Sequence, residues 1–325
     1  MSTSAQASLI ARLLHAFFVV VAASMISFTL LRFAPGDALS GDTSQRSRGA
    51  VARDVLRARS GVHAPLATQY LAFVRQLARG DLGHSLVDGR PVATTLRSAL
   101  SDTLLLTGSG MTAAIVIGLI VGTAQGWSPG SRWSRVAGEA FTALYAVPEF
   151  VLAIGLLAAL AYGTGWFPVG GASDPVISLT GTRAERYADV ARHLVVPALT
   201  LAFGWGAMIS KQQRVALLQA TQMDFVRTAR AKGVSEGRVF RRHAMLPSLS
   251  AVVATVGLML PVLVGGAVVV EIVFAWPGMG SLMLHAVAQR DTPVVSGAVL
   301  LVATGVSLSS IFVEGVVRWI DPRQR

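Results

Sequence analysis

The stretch LLLTGSGMTAAIVIGLIVGTA, from Leu104 to Ala124, contains no ionisable residue. A helix rises 1.5 Å per residue, so about 20 apolar residues cross the roughly 30 Å hydrocarbon core of a bilayer. The stretch is therefore expected to be a membrane-spanning helix. Five other segments qualify on the same ground: Leu13 to Leu31, about Ala137 to Ala161, about Leu194 to Ile209, about Leu246 to Ala275, and about Val294 to Val317. A cleaved signal peptide is the other reading of the first. Its apolar run is longer than a signal core and no small-x-small site follows it cleanly, so it is expected to persist as a helix.

Composition agrees with a chain whose main solvent is lipid. Of 325 residues 53% are hydrophobic and only 14% charged, and the mean hydropathy is +0.58. A soluble protein carries about a quarter charged residues, so soluble-enzyme and disordered-tail readings fall. The absence of cysteine removes disulfide scaffolds, thiol nucleophiles and cysteine metal sites. The net charge of +11 would suit nucleic acid, but beside long apolar runs it is better explained by membrane topology.

With the N-terminus inside, the cytoplasmic segments hold fourteen Lys and Arg, and the short external segments hold four. The stretch 32–101 is left out of that count, because the charge bias does not act on loops longer than about 60 residues. Both termini are thus expected in the cytoplasm. Three regions follow: 1–31 as tail and first span, 32–101 as an external loop domain, and 102–325 as a five-helix core with a cytoplasmic loop over 211–245. The external domain is expected to hold helices at Val51 to Arg59 and Thr68 to Ala78, with turns at Pro35-Gly36-Asp37 and Gly80-Asp81-Leu82-Gly83.

Gly118, Gly122 and Gly126 fall at four-residue spacing on the second span. Such a face admits a second helix at close range, although glycine is also common in membrane helices generally. Pro261 and the pair Gly265-Gly266 predict a kink in the fifth span.

Several chemistries lack their residues. Lys211 follows Ser210 and Lys232 follows Ala231, so no lysine has the preceding glycine that a phosphate-binding P-loop needs. No His-Glu-x-x-His occurs, and no serine and histidine stand at spacings that suggest an intramembrane protease. His84, His193, His243 and His285 are expected in loops or at helix ends. Ionisable residues near the spans are few: Glu139, Glu149, Glu271 and Glu314. Glu139 and Glu314 are close enough to span ends to reach the interface. Glu271 is the candidate polar residue on a permeation path.

The longest cytoplasmic loop includes LLQATQMDFVRTARAKG, Leu217 to Gly233. Leu218, Phe225 and Ala229 are expected to share one helical face, with Arg227, Arg230 and Lys232 elsewhere around the helix. Gly233 is placed to end the helix in a left-handed conformation, and Ser235 to cap a second short helix. The pattern predicts a helix, sharp turn, helix; periodicity by itself equally fits an amphipathic pair resting on anionic lipid.

DFVRTARAKGVSEGRVFRRHAMLP, Asp224 to Pro247, resembles the EAA loop of binding-protein-dependent ABC transporter permeases of the dipeptide, oligopeptide and nickel branch, first-permease type. Further similar stretches follow in family order: RFAPGD (Arg32 to Asp37), GDLGHS (Gly80 to Ser85), VPEF (Val147 to Phe150), HLVVPALTLA (His193 to Ala202), GGAVVVEIVFAWPGMGSLMLHAVAQRDTPVVSG (Gly265 to Gly297) and DPR (Asp321 to Arg323). The loop's name-giving glutamate and two alanines fall on Arg227, Thr228 and Ala229, so one alanine is kept.

The resemblance implies an all-α polytopic protein with six transmembrane helices of the type I ABC importer fold, in the bacterial inner membrane. It implies a non-catalytic permease subunit that forms half of the pathway for di- or oligopeptides. It assigns ATPase coupling to Asp224, Phe225, Arg227, Thr228, Ala229, Arg230, Lys232 and Gly233. Glu271, Pro261, Trp276, Pro277 and Gly278 are candidate pathway or gate residues. The chain itself is expected to bind no cofactor; ATP and Mg would be used by two ATPase partner subunits. A second, homologous permease and an extracytoplasmic substrate-binding protein complete the expected assembly. The rival reading is a secondary transporter with Glu271 or Glu139 as proton carriers. The absence of a detectable inverted repeat and of a charged mid-membrane cluster counts against it. A membrane-embedded hydrolase lacks a nucleophile and base, and a bare membrane anchor leaves the ordered motifs unexplained.

Overall fold

The computed structural model describes residues 3–33 and 66–320. The expected turn at Pro35-Gly36-Asp37, the expected helix over Val51 to Arg59 and the closing Asp321-Pro322-Arg323 lie outside the described residues, as does the side chain of Glu314. The described residues are mostly helical, with one isolated bridge between His84 and Pro91. They form two compact units, 1–101 with 281–308 and 102–280 with 309–325.

In the first unit α1 (Thr3–Phe33) meets α2 (Leu66–Ala78) through Ser24 Oγ and Tyr70 OH at 2.9 Å, and through the Phe28 and Tyr70 rings with centroids 5.5 Å apart. Phe17, Phe18, Met25 and Ile26 remain exposed on α1, which suits a helix surrounded by hydrocarbon. After α2 the chain turns as expected at residues 80–83. Gly80 and Gly83 both take positive φ, and Asp81 accepts the Gly83 amide at 2.8 Å. Asp291 then ties this loop down, accepting from the Ser85 hydroxyl and from the Leu86 amide. Asp88 accepts the Arg90 amide at 3.0 Å, and that bond, helped by the Ser85 hydroxyl, holds its carboxyl below the usual carboxylate range.

The second unit is built on α3 (Val92–Trp127) from Asp102 onward, the bent pair α4 (Arg132–Ala146) and α5 (Glu149–Leu156, continuing as a π-helix over Leu157–Gly163), the short α6 (Pro175–Thr180), and α7 (Arg183–Thr221). After α7 come α8 (Asp224–Ala231), α9 (Glu236–Arg238), a π-helix over Val239–Met245 leading into α10 (Leu246–Gly265), and α11 (Val268–Val273). The last helices among the described residues are α12 (Met279–Ala288) and α13 (Thr292–Ile320), whose residues 281–308 belong to the first unit. Five helical runs are long and apolar enough to cross a membrane: Arg12–Thr29, Val92–Trp127, Arg183–Thr221, Glu236–Gly265 and Thr292–Val313. The α4–α5 pair makes a sixth if counted as one broken span.

Lipid tails are as apolar as the side chains, so close van der Waals packing has to hold membrane helices together. The α3–α7 contact supplies it through glycines. A methyl group at Gly118 would stand 2.8 Å from both the Gly206 carbonyl oxygen and Ile209 Cβ. At Gly122 it would collide with the Ser210 carbonyl, and at Gly126 it would come within 3.0 Å of Leu217 Cβ. The four-residue glycine spacing is thus a packing ladder, continued upstream by Gly110 against Leu201.

Three expectations need correction. The third span is not one helix: α4 and α5 meet at 110°. Val147 precedes Pro148 and is extended (φ −76°, ψ 128°), as a pre-proline residue prefers, so the helix stops there and restarts in a new direction. The fifth segment does not run on to Ala275. Pro261 is accommodated inside α10, and the expected bend falls at the glycine pair, where Gly266 has a φ of 84° that no helix allows. Finally, α7 starts well before Leu194. A capping box at Thr182, which exchanges hydrogen bonds with Glu185, sets its start, so His193 lies inside the helix. There it is buried beside Asp189, with Nδ1 2.9 Å from the Asp189 carbonyl oxygen.

Candidate coupling site

The chain leaves α7 at Gln222-Met223, forms α8, turns at Lys232-Gly233 and returns through α9. Gly233 has φ 74° with nothing within 4 Å of a would-be Cβ. Its glycine is required by backbone conformation and not by crowding. The Gly233 amide donates to the Arg230 carbonyl at 2.9 Å and the Val234 amide to the Ala229 carbonyl at 3.1 Å, which closes the turn.

One face of this unit is spent within the chain. Val226, Ala229 and Val239 form a small buried cluster, with Trp127 and Val234 packed against it. Trp127 also meets Phe240, with ring centroids 4.9 Å apart. The expected shared face of Leu218, Phe225 and Ala229 is therefore corrected to Val226 and Ala229. The helix is interrupted at Gln222-Met223, so Leu218 belongs to α7, and the restart at Asp224 turns Phe225 outward, 45% exposed. Ser235 stands at the start of α9 but makes no side-chain cap; its carbonyl accepts from Arg238 and Val239.

The charged residues divide in the same way. Arg230 grips Glu236 through Nε at 2.8 Å and Nη2 at 3.2 Å, and its guanidinium lies 6.0 Å from the Trp127 ring centroid. The Glu236 hydrogen bond raises the Arg230 pKa above its ordinary value. Arg227 stands 3.9 Å from Asp224 with both side chains open to solvent, a distance at which little is gained. Thr228 and Lys232 are exposed, and Met223 adds an apolar side chain that is 51% exposed. The exposed face of the turn thus carries Met223, Asp224, Phe225, Arg227, Thr228 and Lys232, with Arg230 partly exposed beside Glu236 and Ala229 buried behind them.

The candidate gate residues lie apart from this turn, and several meet. Glu271 is wholly buried and accepts from Thr103 Oγ1 at 2.8 Å, while the same hydroxyl accepts the Met279 amide at 2.7 Å. Trp276 is buried and donates from Nε1 to the Asp102 carbonyl at 2.9 Å. Gly278 packs directly on the Glu271 carboxyl, where any side chain would collide. The segment 266–280 is thus fastened onto α3. Pro277 is exposed on this loop, and Pro261 sits in α10. Thr103 and Trp127, which organise the two sites, were not singled out in the sequence. An indole ending an apolar run was the available signal for Trp127.

Residues 114–325 match the family described as binding-protein-dependent transport system inner membrane component. The chain belongs to this family. Among its relatives, a putative peptide permease protein of Brucella ovis is 35% identical over 96% of this chain and 97% of its own length. The dipeptide transport system permease protein DppB of Alkalihalophilus pseudofirmus is 32% identical, with the same coverage of both chains. The oligopeptide transport system permease protein AppB of Bacillus subtilis is 31% identical over 98% of each. The fold is that of an ABC importer permease. A chain of the inward-facing MetNI methionine ABC transporter superposes with a TM-score of 0.56 at 18% identity, covering 70% of this permease and 97% of that chain. The secondary-transporter reading gains no support from any of these likenesses.

Proposed function

We propose that this permease forms half of the translocation path of an ATP-driven importer for di- or oligopeptides and receives its energy through the turn between α7 and α10. The near full-length similarity to named peptide permeases carries the substrate class. The coupling role rests on a polar turn that exposes Met223 and Phe225 while its other face is locked to the permease body. Two ATPase subunits binding ATP and Mg, a second homologous permease and an extracytoplasmic binding protein complete the assembly, and both termini lie in the cytoplasm. Closure of the ATPases draws the coupling helices together and switches the helices between inward- and outward-facing states.

The test is uptake into vesicles that hold this permease, its second permease and the ATPases, with binding protein and labelled peptide supplied on the binding-protein side. Peptide accumulation that requires ATP is expected, and Phe225→Asp is expected to abolish it without changing membrane insertion. Accumulation driven by a proton gradient in vesicles lacking the ATPases would overturn the proposal.

A further inference from the structure

The break between α4 and α5 opens a cavity of about 330 Å³ within the second unit. Tyr145, Glu149, Trp205, Met208 and Met259 line it, together with Thr200. Glu149 is the one charged residue among its described lining residues, and it sits at the bend, halfway along a broken span. A carboxylate at membrane depth is expensive unless it faces a water-filled cavity or a partner, and broken spans recur where a pathway needs polar groups at the midplane. Two neighbouring features favour a cation, while the amide end of α5, on which Glu149 stands as first residue, helps keep its carboxylate charged. The last carbonyls of α4 end here and carry the negative end of its dipole. Tyr145 and Trp205 supply aromatic rings of the kind that attract a cation, and Met208 and Met259 supply adaptable apolar surface.

We propose that Glu149 is a cargo-contacting residue: its carboxylate receives the ammonium group of a peptide in transit, while Tyr145, Trp205 and the methionines hold the neighbouring side chain. This rests on the peptide-import reading above. It adds a named contact to a path otherwise defined only by its helices.

The chain contains no cysteine, which allows the charge at this position to be written chemically. In the complete reconstituted importer, Glu149→Gln and Glu149→Cys are expected to lower ATP-driven peptide uptake about tenfold or more, the worth of a charge-assisted hydrogen bond. ATPase activity stimulated by the binding protein should persist in both. Reaction of the Glu149→Cys permease with a negatively charged sulfonatoethyl thiol reagent should restore much of the uptake, and a positively charged trimethylammonium reagent of similar size should not. The unmodified wild-type importer treated with each reagent is the control. The same pattern is expected in vesicles lacking phosphatidylethanolamine, since the ammonium belongs to the cargo. Four results would overturn the proposal: uptake within twofold of wild type in both variants, equal effects of the two reagents, no reaction at the introduced thiol, or a charge effect that vanishes without phosphatidylethanolamine. Wild-type vesicles without ATP-driven peptide uptake would instead defeat the import reading itself.

Discussion

Arg230 and Glu236 clasp each other across the Gly233 turn, guanidinium to carboxylate, with bonds of 2.8 and 3.2 Å. Both side chains are substantially exposed, so the pair adds at most about 1 kcal/mol to stability. It ties the last turn of α8 to the start of α9. Arg230→Glu and Glu236→Arg are each expected to reduce ATP-driven uptake severalfold while leaving folded yield unchanged. The double swap should recover most of the loss, and a double-mutant cycle on uptake rates measures this coupling.

Gly233 makes a separate prediction, because open space surrounds it and only its backbone is unusual. Gly233→Val should impose about 1–2 kcal/mol of local strain and uncouple uptake from ATP hydrolysis. Gly233→Asn, which tolerates the left-handed region, should retain most coupling. Equal behaviour of the two variants in ATPase and uptake assays would mean that the turn relaxes freely.

Between α3 and α7 the prediction is steric. Gly122→Val drives a branched side chain into the Ser210 carbonyl and is expected to cost about 1–3 kcal/mol or more in packing. Gly204→Ala, on the same helix as Ser210 but with open space around it, should be nearly neutral. Thermal stability of the purified permease in detergent, followed by aggregation, distinguishes the two.

Thr103→Val keeps the side-chain shape but removes both hydrogen bonds that its hydroxyl makes, to Glu271 and from the Met279 amide. It leaves a buried amide unpaired, at a cost of about 1–3 kcal/mol. The segment 266–280 should loosen and become susceptible to limited proteolysis, whereas Thr103→Ser should remain protected.

The spans were legible because length and absence of charge suffice to mark them, and the glycine ladder because its four-residue spacing is itself a helical face. Backbone direction was harder to read. Val147-Pro148 stood in plain view inside an apolar run, but a count of apolar residues registers no 110° bend. The face of α8 was misassigned because a break of two residues at Gln222-Met223 rotates everything after it. Thr103 and Glu271 are 168 positions apart, and no local pattern announces such a pairing. Gly233 was legible because a left-handed stop is a local property; Arg230 as an internal clasp was not, since its partner lies beyond the turn.

The stretch of α3 from Thr103 to Trp127 has a mechanical consequence. Thr103 holds the Glu271 loop at one end, and Trp127 underlies Phe240 and Arg230 at the other. These 24 steps of helix make a stiff rod about 36 Å long. Tilting such a lever by roughly 10° about one end would displace the other by about 6 Å, close to one helical turn. A displacement at the Trp127 end can therefore reach the Thr103 end through a single moving part.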